Sequence, residues 1–205
     1  MAGESEGDDP VAHLTYLDRV SRALYSIKVE EVTKFVDLLV RARAANQLVL
    51  IVGNGGSATT ASHMATDLGV GSQRFGAGIR VTSLVDNAGV ITATGNDLSY
   101  DDIFSAQVQL LGQPGDVLVA ISASGNSQNL IAAAAQAHQL GMKVVGITGF
   151  TGGRLAEMAD LSIHVVTDVG DYGPAEDAHL VVNHMVTELL RQRLGGLADA
   201  RNLHG

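Results

Sequence analysis

Two stretches of the chain, LVLIVGNGGSATTASH (residues 48–63) and DVLVAISASGNSQNL (116–130), repeat one arrangement: an apolar run, a Gly/Ser/Asn turn, then a helix-compatible segment. An apolar run that ends in small polar residues aims backbone N–H groups and hydroxyls at one point, where an anion can sit on a helix N-terminus. Neither stretch contains Lys or Arg, so a phosphate held here is held by dipoles and serine hydroxyls. The formal net charge of −9, from 13 basic and 22 acidic residues, is then no obstacle. Ser122, Ser124 and Ser127 crowd around Gly125 at the end of the second run, where open α/β sheets place their ligands. One serine suffices to cap the helix starting near Gln128; three point to a ligand. Two further groups could move protons. His63 and Asp67 are four residues apart and share a helix face, and Glu176, His179, Asn183 and His184 fall in one sector of a C-terminal helix. A histidine and a carboxylate on each of two helices can hold a divalent metal ion or serve as plain acid/base partners.

Gly53, Gly55 and Ala58 also fit the loose dinucleotide fingerprint G-x-G-x-x-A. That use calls for an acidic residue closing the second strand about twenty residues on, whereas the nearest strand-terminal carboxylate, Asp86, comes much later. A P-loop is worse supported, because the turn lacks the required lysine. Neither motif accounts for the second turn, so no nucleotide cofactor is expected.

The elements that must position these residues are legible in the spacing. From 11 to 47 the apolar residues Leu14, Leu17, Val20, Leu24, Ile27, Val32, Phe35, Val36 and Leu39 recur at helical intervals, which predicts two helices or one bent helix. From 48 onward short β-branched runs at 49–52, 79–84, 117–121, 144–148 and 161–166 alternate with Ala-rich helical segments. That alternation predicts a parallel sheet covered on both faces, a three-layer αβα sandwich with extra N-terminal helices. Residues 176–194 read as a last helix, 196–205 as a frayed tail and 1–10 as a disordered start, leaving one domain over 11–195. The 4% aromatic content and acidic balance argue against nucleic acid, and no apolar run approaches a membrane span. Zero cysteines fit a reducing cytoplasm. His138 and His164 read as hydrogen-bonded structural residues, with His179 between the two cases.

The segments GNGGSATTASH, TATGNDLSYDDIFSAQV, GDVLVAISASGNS, GMKVVGITGFTGGRLAEMAD and EDAHLVVNH together resemble the sugar isomerase (SIS) domain family, nearest its phosphoheptose (sedoheptulose 7-phosphate) isomerase branch. The resemblance runs from about Leu14 to Leu194. It implies a five-stranded, flavodoxin-like parallel sheet, a homotetramer with active sites between subunits, and aldose–ketose isomerisation of a sugar phosphate through an enediol. It assigns Ser57, Ser122, Ser124 and Ser127 to the phosphate, and Asn54, Gly55 and Asp97 to the sugar or the pocket wall. It also implies zinc in some members, at positions matching His63, Asp67, Glu176 and His184, with Asp67 as base and His184 as acid.

The chain departs from that pattern at three places. Asp67 stands where the branch has Glu, Glu176 where it has Gln, and Ala123 where it has a hydroxyl residue. The shorter Asp67 moves its carboxylate by about an ångström, a displacement that can cost on the order of a hundredfold in rate. The added charge at Glu176 makes it a second candidate base. These departures support two readings: an isomerase with a shifted catalytic pair acting on a heptulose, octulose or related phosphate, or a non-catalytic phosphosugar-binding or protein-interaction module. The first is favoured, because all four positions keep a carboxylate or a histidine.

Overall fold

The computed structural model describes residues 10–75 and 78–202; the rest of the start expected to be disordered, 1–9, lies outside them. Strands β1 (Leu48–Gly53), β2 (Arg80–Ser83), β3 (Val117–Ser122), β4 (Lys143–Thr148) and β5 (Leu161–His164) form one parallel sheet in the order β2-β1-β3-β4-β5. Each falls on a run read from the sequence. The central strand β3 is buried along its whole length and β1 all but its first residue, which is why both are near-continuous apolar runs. Edge strand β2 is shorter and begins with an exposed Arg80. At the opposite edge β5 stops before Val166, whose N–H donates to Ser26 Oγ at 2.9 Å.

The helices are α1 (Pro10–Tyr25), α2 (Val29–Ala44), α3 (Gly56–Gly69), α4 (Ala88–Asp97), α5 (Ser105–Leu111), α6 (Gln128–Gln139), α7 (Gly153–Met158) and α8 (Tyr172–Asn202). Side chains alternate across the sheet with period two. Val49, Ile51, Val117, Val119, Val145 and Ile147 meet α2, α3 and α8 on one face. On the other, Leu50, Val52, Leu118, Ala120 and Val144 meet α5, α6 and α7. The N-terminal pattern resolves into two helices, and the corner between them is pinned where Ser26 Oγ donates to Ala23 O at 2.6 Å while accepting from Val166 N–H. α2 buries Val32, Phe35, Val36, Leu39 and Ala42 at the spacing the sequence showed, with Glu30 and Glu31 in its first turn and Arg41 and Arg43 in its last, matching its dipole. Buried Asp116 ties the sheet at its lower end, accepting from Leu48 N–H at 2.8 Å and Gln113 N–H at 2.9 Å.

α8 is longer than the 176–194 stretch read from the sequence and runs through Gly195 and Gly196 to Asn202. Glycine ends a helix by adopting positive φ, and neither of these two does. His138 and His164 do have the hydrogen-bonding partners expected of structural residues: His138 Nε2 lies 3.3 Å from Asp160 Oδ2, and His164 Nδ1 lies 3.1 Å from Thr148 Oγ1.

His179, on α8, is fully buried. Burial pushes its pKa down to about 4. The unfolded chain binds a proton here below about pH 6.5 and the folded chain does not until about pH 4, so stability falls as pH drops through that window, by about 3 kcal/mol for this group. Urea unfolding at pH 7 and pH 4.5 is expected to show a smaller acid-side loss for His179→Leu than for the parent; equal losses would contradict the assignment.

Candidate active site

The order β2-β1-β3 puts β1 and β3 side by side where the chain's crossovers diverge, the switch point at which open α/β sheets bind ligands. Both serine-rich turns leave the sheet there. In the first, Gly55 has φ +54°, and Gly53 passes so close to α3 that a Cβ would stand 2.5 Å from the Ser57 carbonyl oxygen. In the second, Gly125 has φ +65°, and a Cβ on it would overlap the carbonyl of Gly152 in the loop after β4. The two turns are clasped by a reciprocal amide pair: Asn54 Nδ2 donates to Asn129 Oδ1 at 2.9 Å, and Asn129 Nδ2 donates to Asn54 Oδ1 at 2.9 Å. Tyr100 adds its hydroxyl to Asn54 Oδ1 at 3.2 Å.

Between the turns lies a cavity of about 100 Å³ lined by Asn54, Ser57, Ser122, Ser124, Ser127 and Glu176, among others. Ser122 Oγ accepts from Gly125 N–H at 3.0 Å and Ser124 Oγ from Asn126 N–H at 3.2 Å, so each keeps its own O–H to donate to a ligand. Ser127 occupies the N-cap of α6 without making a side-chain cap bond, so capping does not account for it. Ala123 packs with Phe150 and Ala175. Asp97 is not among the lining residues: it is exposed at the end of α4 and accepts from Asn96 Nδ2 at 2.7 Å.

The other chemistry-bearing residues lie along the seam of α3 and α8. A Cβ on Gly56 would overlap the Glu176 carboxylate, and His63 Nε2 is 3.4 Å from His184 Nε2. Asp67 closes the cluster, its Oδ2 3.3 Å from His63 Nε2 and accepting from Asn183 Nδ2 at 2.9 Å. His63, Asp67 and His184 bring one ligand atom each to within 4.8 Å of one another, a set that could hold a metal ion. Both of these contacts to Asp67 use Oδ2.

Glu176 does not join that cluster. It precedes His184 by eight residues, about 12 Å of helix rise, and its carboxylate sits instead in the serine-lined cavity against the N-terminus of α3, where the helix dipole favours negative charge. The structure thus joins three of the four expected metal positions within one chain and puts the fourth in the serine-lined cavity. Sequence reasoning missed Asn129, which carries no motif signal, and Tyr172, which lines the cavity and stacks edge-on to Phe150 at 5.0 Å. Asn183 was visible as a member of the α8 sector, but its partner was not.

A family profile described as the SIS domain matches residues 15–149. The phosphoheptose isomerase of Burkholderia pseudomallei is 39% identical over 168 residues, 80% of this chain and 83% of that protein, and that of Geotalea daltonii is 36% identical over 166 residues, 81% and 85%. The solved phosphoheptose isomerase of Neisseria gonorrhoeae superposes with a TM-score of 0.79 at 31% identity, covering 89% of this chain and 96% of that one. The sheet order, the two serine turns at the switch point and these matches agree: the chain belongs to the SIS-domain family, alongside its phosphoheptose isomerases.

Proposed function

We propose that the protein is an aldose–ketose isomerase of a sugar phosphate, with sedoheptulose 7-phosphate or a related heptulose or octulose phosphate as substrate. The observation that carries this reading is the pairing of a cation-free, hydroxyl-lined pocket at the switch point with a separate His–Asp–His cluster on the α3/α8 seam. The first suits a phosphate dianion; the second suits proton transfer at the carbonyl end. Ser57, Ser122, Ser124 and Ser127 hold the phosphate, with Asn54 and Gly55 shaping the pocket wall, and binding energy at the phosphate positions the distant carbon for reaction. Asp97, away from the pocket of its own chain, contributes to the sugar site of a neighbouring subunit.

Isomerisation moves one proton between C1 and C2 and another between their oxygens. Asp67 takes and returns the carbon-bound proton through Oδ1, with its carboxylate fixed by the Asn183 amide. His184 serves the oxygens when its Nε2 carries no metal ion. Glu176, beside the phosphate anchor, shapes substrate binding rather than acting as the base. Asp67 is the favoured base because it shares a cluster with both imidazoles.

His63, Asp67 and His184 fit zinc. A tetrahedral zinc with Zn–N bonds of about 2.0–2.1 Å sets donor–donor edges of about 3.3–3.4 Å, and the edges here are 3.4 Å between the two Nε2 atoms and 3.3 Å from His63 Nε2 to Asp67 Oδ2. When bound, zinc supplies Lewis acidity toward the carbonyl oxygen. We also propose one domain over 11–195 and a homotetramer working in the cytoplasm. Among the described residues α4 buries none of its side chains, and Leu98 and Tyr100 just after it are exposed, as are Leu110 and Leu111 on α5, as expected of surfaces covered by other subunits. No helix of the described residues is long and apolar enough to cross a membrane.

The purified protein is expected to exchange solvent deuterium into C1 or C2 of a C5 to C8 ketose phosphate, more strongly with added zinc. Asp67→Asn should lower the exchange rate by roughly 10²–10⁴-fold and Glu176→Gln by much less, while His63→Ala should lose the zinc dependence. No exchange across the panel favours a binding module, and loss in Glu176→Gln alone transfers the base to Glu176. Ser124→Ala, which deletes a hydroxyl facing a charged ligand, should weaken substrate binding by about tenfold or more and exceed the effect of Ala123→Ser. Light scattering should give the mass of four chains.

A further inference from the structure

Beyond the His63–Asp67–His184 cluster, the same wall carries two polar groups that the mechanism above does not use. Thr187 and Arg191 lie three and seven residues after His184 on α8 and share its face. With Asp67, His184 and Glu188 they line a cavity of about 380 Å³. Thr187 is 4% exposed, and among the described residues neither its hydroxyl nor the buried Nε of Arg191 has a hydrogen-bond partner. Buried donors are rarely left this way unless a ligand or water completes them. Glu188, the acid nearest in sequence, is engaged by Gln192 Nε2 at 3.2 Å.

The backbone opposite makes room for the guanidinium. Gly71 lies four residues after Asp67, in the 3-10 turn that continues α3, and a Cβ there would stand 3.2 Å from an Arg191 terminal nitrogen. Gly71 needs no positive φ, so it is the space, not the backbone conformation, that its lack of a side chain serves. Helical side chains lean toward the N-terminus, which directs Arg191 back toward Thr187 and His184.

We propose that Arg191 and Thr187 form a substrate-oxygen subsite of the isomerase centre, in which the guanidinium holds the oxyanion of the enediolate and the Thr187 hydroxyl the oxygen beside it. The inference rests on the isomerase reading above. When Asp67 removes the proton from the carbon next to the carbonyl, the C–H pair becomes the C=C bond and the carbonyl π pair moves onto oxygen. Arg191 donates N–H to that oxygen. Asp67 then returns its proton to the former carbonyl carbon, while the hydroxyl proton crosses between the oxygens by way of His184. A fixed charge aimed at an oxyanion acts mainly on the transition state. Arg191 is therefore expected to act on kcat and the phosphate pocket on KM.

Steady-state kinetics on Arg191→Met should show kcat down by roughly a hundredfold or more with KM little changed. Competitive inhibition by a hydroxamate analogue of the aldonate phosphate, a planar anionic mimic of the enediolate, should weaken in step with kcat/KM, while inhibition by inorganic phosphate is unchanged. Arg191→Lys should recover only part of kcat, and Gly71→Ala, which crowds the guanidinium without removing it, should lower kcat severalfold. The subsite is overturned if wild type isomerises and Arg191→Met keeps kcat within about twofold, or if hydroxamate and phosphate inhibition weaken equally. It is also overturned if Arg191→Lys and Gly71→Ala both retain full activity. A folded wild type that isomerises nothing in the panel overturns the isomerase reading, and the subsite with it.

Discussion

The reciprocal amide pair between Asn54 and Asn129 is the interaction on which the anchor depends. Each amide donates to and accepts from the other at 2.9 Å, and Asn129 is almost completely buried, so the pair is shielded from competing water. It joins the turn after β1 to the first turn of α6, and so sets the width of the cleft between two segments far apart in the chain. The serine hydroxyls converge only because this width is set. With no lysine or arginine on either turn, no long side chain can compensate for a loose fit to an anion, which makes the clasp a geometric requirement for binding one there.

A second constraint is the parallel course of α3 and α8. Gly56 meets Glu176, His63 meets His184 and Gly71 meets Arg191, so both helices advance together, with glycine at each end where a side chain from α8 needs space. The order of groups along this seam reflects that registry: a carboxylate in the serine-lined cavity, the His–Asp–His cluster in the middle, a guanidinium beyond. Asn183 donates its amide N–H to Asp67 Oδ2 from the facing helix and fixes the carboxylate within the cluster. Glu176 places a negative charge at a helix N-terminus, where the dipole stabilises it, and at a distance from the imidazoles.

Burial separates the histidines by role more clearly than sequence spacing does. His63 and His184 are exposed beside Asp67, whereas His179, on the same helix as His184, is sealed in the core and held neutral. Five residues along α8 turn one side chain into the core and the other to the seam. α4, by contrast, has no fully buried side chain, and its partly buried Ile91 packs against the core beneath it.

Composition and periodicity by themselves determined the layers, the strands, the two serine turns and the His63–Asp67 pair, because each is a local pattern: a period of two or 3.6, a turn that needs glycine, a spacing of four on one helix. They also located the α8 sector, though not its full length, since glycine stops a helix only through its backbone angles, and these are set by the neighbouring residues and the packing around them. Only the tertiary structure decided which side chains meet across elements. It separated Glu176 from the three residues it was grouped with, paired Asn183 with Asp67, clasped Asn54 to Asn129 and opened Gly71 to Arg191. Those outcomes depend on how α3, α6 and α8 cross the sheet, which is fixed by the packing of distant residues against one another and leaves no mark in the local order of amino acids.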